Sequence, residues 1–264
     1  MNKIWIGTNW KMTKTTEEGL SYTKDLKEFS KSISESIELF IIPSYTSLWP
    51  LHEETEDSPL LLGAQNMHWE ESGAFTGEIS PRMLREIGID IVELGHSERR
   101  QYFNEDDEMI NKKVVAALKF GMKPLICIGE DIEQKNQHRS REVLADQLSV
   151  CLQGLSRQAV RNILIAYEPV WAIGEKGVPA DADYVEDIHE FLRGILENMF
   201  GETGKEIPLL FGGSVNKDNF LQYMNIGNVN GLFIGRAAWD IASFKQILHQ
   251  LDQEYVKDGV ANKR

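Results

Sequence analysis

Short apolar runs rich in branched residues recur along the chain, each followed by a longer stretch whose apolar positions return every three to four residues. The runs are Ile4–Gly7, Leu39–Ile42, Leu60–Leu62, Ile89–Leu94, Pro124–Ile128, Ile163–Ala166, Leu209–Phe211 and Leu232–Ile234. Runs of this length read as strands buried on both faces. Between them, Leu20, Leu26 and Phe29, then Met109, Ile110, Val114, Ala117 and Leu118, then Val185, Ile188, Phe191, Leu192 and Ile195 fall on single helical faces. Alternating strand and helix implies an α/β protein with a parallel sheet and right-handed crossovers. Eight strands favour a closed (β/α)8 barrel over an open doubly wound sheet. The 264 residues suit one such barrel. No Pro/Gly/Ser-rich linker divides them, so the expectation is a single domain over 1–264 with a polar tail, 252–264, that frays at its end.

In a barrel of this kind function sits on the loops leaving the C-terminal ends of the strands, which gives weight to polar residues there. Strand 1 runs into Thr8-Asn9-Trp10-Lys11, strand 4 into Gly95-His96-Ser97-Glu98-Arg99-Arg100, and strand 6 into Glu168-Pro169-Val170-Trp171. A carboxylate at a strand end is often only a cap or an ion-pair partner. Glu168, however, opens a segment, residues 169–179, with prolines at both ends and Gly174 and Gly177 inside, a composition suited to a mobile lid. A lid that excludes water raises the basicity of a nearby carboxylate, which makes Glu168 the preferred general base. His96 precedes a segment able to start a helix, whose N-terminus disfavours an imidazolium; a neutral ring can donate to a substrate carbonyl. Most lysines are merely solvated, but Lys11 beside such a lid supplies a cation for an enediolate and a phosphate, and Asn9 can position the same oxygens. Gly212-Gly213-Ser214 and Gly235-Arg236 follow strands 7 and 8, where phosphate pockets commonly form in this architecture. Each glycine pair taken alone also suits an ordinary tight turn.

Charge narrows the partners. With 28 Lys and Arg against 41 Asp and Glu the net charge is −13, which argues against a grip on nucleic acid or an anionic membrane. An anionic substrate must then be held by local lysines, backbone N–H groups and helix N-termini. Two cysteines, Cys127 and Cys151, are too few for a disulfide framework, and six histidines show no HExxH or paired Cys/His spacing. No metal and no cofactor are expected. Without an apolar segment of about 18 residues or a leader pattern, the expected location is cytoplasmic.

The chain resembles the triosephosphate isomerase family over nearly its whole length. The resemblance is carried by Gly7-Thr8-Asn9-Trp10-Lys11-Met12, Gly63-Ala64-Gln65-Asn66, Ser72-Gly73-Ala74-Phe75-Thr76-Gly77-Glu78, Leu94-Gly95-His96-Ser97-Glu98-Arg99-Arg100, Cys127-Ile128-Gly129-Glu130, Tyr167-Glu168-Pro169-Val170-Trp171-Ala172-Ile173-Gly174 and Gly212-Gly213-Ser214-Val215. It implies a TIM barrel with Glu168 as base, His96 as neutral electrophile, Lys11 as electrostatic clamp and Asn9 as its companion. It further implies that Glu98 pairs with Lys11, that Gly174, Ser214 and Gly235 bind the phosphate of a small phosphorylated sugar, and that the protein is a homodimer whose 73–78 loop, with Thr76 near its tip, reaches the neighbouring site.

Three positions depart from the family pattern. The lid continues as Glu175-Lys176-Gly177-Val178-Pro179 instead of Thr-Gly-Lys-Thr-Ala, Phe211 stands where a tyrosine hydroxyl latches the lid, and Arg236 replaces the second glycine after strand 8. The leading expectation is interconversion of dihydroxyacetone phosphate and glyceraldehyde 3-phosphate through an enediol, a step of glycolysis and gluconeogenesis. The close alternative is a family paralogue converting L-erythrulose 1-phosphate to D-erythrulose 4-phosphate, with Arg236 tuning the pocket toward the longer sugar. Two other classes fit less well. A Schiff-base aldolase needs a lysine at a strand's C-terminal end, and Lys123 lies at the start of strand 5. A phosphate-binding protein without catalysis has no use for both Glu168 and His96.

Overall fold

All eight apolar runs form strands in the computed structural model, which describes residues 3–257. They are β1 (Ile4–Asn9), β2 (Ile37–Ile42), β3 (Leu61–Ala64), β4 (Ile91–Leu94), β5 (Lys123–Ile128), β6 (Leu164–Tyr167), β7 (Leu209–Gly212) and β8 (Gly231–Phe233). Each lies parallel to its sequence neighbours, and β8 pairs with β1, which closes the barrel. Expected and observed bounds differ by no more than two residues. The difference matters at β1, whose ladder with β2 continues to the Asn9–Ile42 pair. Asn9, expected in the following loop, is therefore the last residue of the strand and is held as rigidly as the sheet.

Strand alternation sorts the side chains into two layers. Phe40, Ile42, Ile91, Leu125, Cys127, Leu164, Ala166, Leu210 and Phe233 fill the barrel interior, while Leu39, Ile41, Val92, Leu94, Ile126 and Ile165 pack outward with the helices. The interior is filled unevenly. The rings of Phe40 and Phe233 stack with centroids 5.7 Å apart, and a Cβ on Gly7 would lie 2.1 Å from the Phe40 ring. β1 surrenders a side chain there so that β2 can place an aromatic one, a burial worth roughly 1.5–3 kcal/mol per ring. This plug closes the barrel's interior.

The helices follow their predicted faces and have identifiable starts. Thr15 and Glu18 form a reciprocal capping box for the helix Thr16–Ser30, Asp106 caps Asp107–Lys119, and Asp181 caps Ala182–Phe200. At the start of the polar tail the chain stays helical over Leu251–Lys257, and buried Asp252 accepts a hydrogen bond from the Ser34 N–H at 2.8 Å. The end for which fraying was expected, residues 258–264, lies outside the described residues. Cys127 and Cys151 are buried and unpaired. Among the described residues no helix is long and apolar enough to cross a membrane.

Candidate active site

Glu168 follows β6 directly, and its seat is cut by two glycines. A Cβ on Gly129 would lie 2.0 Å from the Glu168 carbonyl oxygen, and one on Gly212 would lie 2.7 Å from its Oε1. Gly212, read from sequence as part of a phosphate loop, also makes room for the carboxylate. The Glu168 N–H donates to Ile128 O at 2.8 Å, while its Oε2 is buried with no hydrogen-bond partner. Burial pushes its acid up to about 7, opposed chiefly by the positive charge of Lys11. A carboxylate so placed is a much stronger base than one in water.

His96 caps the helix Ser97–Phe103 through its ring: Nδ1 accepts the Glu98 N–H at 3.1 Å. With Nδ1 acting as acceptor, the neutral ring carries its proton on Nε2. Burial first, then Lys11, lowers the imidazolium to about 4. Nitrogen NMR should show Nε2 alone protonated at pH 7 and a titration midpoint near 4. A doubly protonated ring at pH 7 would contradict this reading.

Lys11 sits in a left-handed backbone conformation (φ 52°), which costs a lysine about 1 kcal/mol or more and needs outside support. That support comes from Asn9, whose Oδ1 accepts the Lys11 N–H at 2.6 Å, and from Gln65, whose Nε2 donates to the Lys11 carbonyl at 2.8 Å. Lys11 Nζ donates to Glu98 Oε1 at 2.7 Å, so the pair implied by the resemblance is present. Trp239 donates from Nε1 to the Asn9 carbonyl at 2.9 Å, tying the loop after β8 to the end of β1.

The segment 169–179, expected to act as a lid, begins as a tight turn, Val170–Ala172, anchored by buried Glu130, which accepts from Tyr184 at 2.7 Å and from Trp171 Nε1 at 3.0 Å. Two further groups hold its middle. Ser214, itself left-handed (φ 51°), donates from Oγ to Ala172 O at 2.7 Å, and Arg236 Nη2 donates to Gly174 O at 2.6 Å. The Ser214 hydroxyl is thus hydrogen-bonded to the 169–179 segment. The hydroxyl missing at Phe211 reappears at Tyr223, whose ring packs on Phe211 at 4.4 Å and whose OH donates to Ala180 O at 2.7 Å, just beyond the lid. Sequence reading assigned no part to Tyr223, Glu130 or Trp239, because each depends on a partner distant in the chain.

All nine residues singled out from the sequence line one cleft of about 580 Å³ at the C-terminal ends of the strands. Asn9, Lys11, His96, Glu98 and Glu168 form one side; Gly174, Ser214, Gly235 and Arg236 form the other. Gly235 leads into the turn Arg236–Ala238, the kind of start whose N–H groups lack intrahelical partners and suit a phosphate. Glu93, which the sequence reading passed over, stands with His96 and Glu168 as the one group of possible metal donors brought together among the described residues, with ligand atoms within 4.8 Å of one another. Its signal was a charged residue inside an apolar strand. Within these residues, His96 Nδ1 accepts the Glu98 N–H at 3.1 Å and Glu93 Oε2 accepts from Asn9 Nδ2 at 2.7 Å.

Comparison with known proteins agrees with this geometry. The family model described as triosephosphate isomerase matches residues 4–251. A protein of Rhizobium etli named L-erythrulose-1-phosphate isomerase is 44% identical over 246 residues, covering 93% of this chain and 91% of that protein. One of the same name from Brucella abortus is 43% identical over 249 residues, covering 94% and 96%. The crystal structure of triosephosphate isomerase from Bartonella henselae superposes with a TM-score of 0.85 at 33% identity, over 94% of this chain and 99% of that one. A barrel open at one end onto a basic carboxylate, a neutral histidine and a lysine, matched by that family model almost from end to end, belongs to the triosephosphate isomerase family, and the chain is a phosphosugar isomerase of that family.

Proposed function

We propose that the chain converts L-erythrulose 1-phosphate to D-erythrulose 4-phosphate. The observation that carries this reading is the pair of relatives so named, each covered over more than nine-tenths of both chains. The chemistry is close to that of a triose phosphate. Dihydroxyacetone phosphate and L-erythrulose 1-phosphate share a phosphomethyl group, a carbonyl and a neighbouring hydroxylated carbon; the tetrulose carries one extra hydroxymethyl group on the carbon that loses its proton.

Glu168 removes that proton, and the electrons move into an enediol across the two central carbons. The neutral His96 donates from Nε2 to the carbonyl oxygen and carries protons between the two enediol oxygens. Lys11 offsets the developing negative charge and Asn9 holds Lys11 in place. The proton then returns from Glu168 to the former carbonyl carbon. The phosphate lies between the lid at Gly174 and the loops of Ser214 and Gly235, and residues 169–179 close over it to exclude water. Arg236 sets the height of the lid through Gly174 and has further guanidinium donors for the phosphate. The homodimer implied by the resemblance is supported by residues 71–78, all exposed, and by Met12, 96% exposed beside Lys11.

The deciding experiment compares kcat/KM for L-erythrulose 1-phosphate and dihydroxyacetone phosphate in wild type and Arg236→Gly. The wild type should prefer the tetrulose phosphate by about tenfold or more, the worth of one charged hydrogen bond or one well-fitted methylene. Loss of the lid contact should shift that ratio toward the triose, and the same preparation should sediment as two chains. Fast turnover of the triose phosphate by the wild type, with a ratio unmoved by Arg236→Gly, would return the chain to the triose reaction.

A further inference from the structure

Glu93 breaks an otherwise apolar strand, Ile91-Val92-Glu93-Leu94, and is fully buried. Strand alternation directs it inward like Ile91, under the floor of the cleft. An unmatched charge there costs several kcal/mol, whereas an apolar side chain would be ordinary. Its surroundings give the carboxyl a use. Oε2 accepts Asn9 Nδ2 at 2.7 Å, and Oε1 lies 3.7 Å from the Cys127 thiol. Asn9 in turn accepts the Lys11 N–H at 2.6 Å and so holds the left-handed turn that presents the Lys11 ammonium to Glu98. A single chain of contacts therefore runs from inside the barrel to the one lysine that lines the cleft.

The charge of Glu93 follows from the groups that face it. Glu168, after β6, brings a carboxylate within 4.8 Å; Cys127 of β5 and Asn9 of β1 are neutral; His96 after β4 is neutral; Lys11 already pairs with Glu98. Two carboxylates this close in a dry site do not both ionise. Burial first, then the neighbouring Glu168, drives the Glu93 acid well above the usual range, whereas Glu168 reaches about 7. Since Oε2 accepts from Asn9, the proton rests on Oε1, on the side of Cys127.

We propose that Glu93 is a positioning residue: a neutral carboxylic acid that fixes the Lys11 turn through Asn9 and, by staying neutral, leaves Glu168 as the only ionised carboxylate of the buried pair. Its kinetic consequence rests on Glu168 as the base; its protonation does not. The infrared difference between wild type and Glu93→Gln at about pH 8, where an ordinary glutamate is ionised, should show one protonated-carboxyl stretch lost in the variant. Assayed with L-erythrulose 1-phosphate, Glu93→Met should lose kcat on the order of tenfold to a hundredfold with little change in KM, because the Lys11 turn loses its support. Glu93→Gln, which can still accept from Asn9, should recover most of that loss, to within about threefold of wild type. Absence of the carboxyl stretch, or a Glu93→Gln as slow as Glu93→Met, overturns the proposal. Full turnover in Glu93→Met overturns it as well, while leaving the assignment of Glu168 to the separate evidence of its own substitution. Should Glu93→Met not fold, the infrared comparison and the rate of Glu93→Gln still decide.

Discussion

Replacing Glu168 by glutamine should lower kcat by about two to four orders of magnitude and leave KM within a few-fold, because a positioned general base contributes on that scale while the phosphate contacts lie elsewhere in the cleft. The isostere keeps the shape that Gly129 and Gly212 accommodate, so the barrel should fold normally. The wild type should also lose kcat/KM as pH falls below about 7, the point to which Glu168 is raised, since only its ionised form accepts a proton from carbon. Stability should move the opposite way. Folding raises this acid from 4.5 to about 7, so the native state holds the proton more tightly, a stabilising contribution complete below 4.5 and lost as pH rises through about 7. Above that pH the wild type keeps a buried charge at a cost of roughly 3 kcal/mol. Glu168→Gln carries none, so its melting temperature should exceed that of the wild type at pH 8 and not at pH 4.5. Near-normal turnover in this variant would remove Glu168 from its assigned role.

Lys11→Met should cost about two to three orders of magnitude in kcat/KM, the usual loss when a group that meets developing negative charge is removed. The variant also has a signature that a packing defect lacks. Lys11 is the largest influence opposing the upward shift of Glu168 and the second cause, after burial, of the lowered His96 imidazolium. Without the ammonium, the acid limb of the pH profile should move above 7 and the His96 midpoint should rise above 4. Both shifts follow from losing one positive charge, and their joint absence alongside a rate loss would assign that loss to the turn rather than to charge. Stability should change little, because the Lys11–Glu98 pair is partly exposed and such pairs contribute about 0–1 kcal/mol.

Both variants lie on the side of the cleft built by β1, β4 and β6, and the stiffness of those strands sets the precision of the site. Asn9 is in the ladder, His96 is held by the cap it makes, and Glu168 is hydrogen-bonded to Ile128 at the end of the adjacent strand β5. The opposite side is made of loops joined by side-chain bonds from Ser214, Arg236 and Tyr223 to backbone carbonyls of residues 172–180. The groups proposed to move protons are thus fixed in place, while the side proposed to hold the phosphate rests on contacts that can be made and broken.

Much of this was legible in the chain because it is local. An apolar run of four to six residues bounded by polar ones specifies a strand, and eight of them with helical faces between specify the closed barrel, since burial of both strand faces permits little else. Residues immediately after those runs must emerge at one end of the barrel, so Glu168, His96, Lys11, Asn9, Glu98, Ser214, Gly235 and Arg236 could be grouped before any coordinate was known, and the family resemblance added Gly174. What the sequence by itself did not determine is how each is held. Gly212 reads as a turn glycine until the Glu168 carboxylate is found against it; Ser214 gives no sign in the sequence that its hydroxyl meets Ala172; Phe211 reads as a lost latch until Tyr223 is found packed against it. Glu93 is invisible as anything but an interruption in a strand, because its meaning lies in Asn9, 84 positions away, and in Glu168, which only barrel closure brings near. Spacing along the chain determines which face a side chain takes, whereas its protonation and its partner are set by distances across the barrel that no spacing encodes.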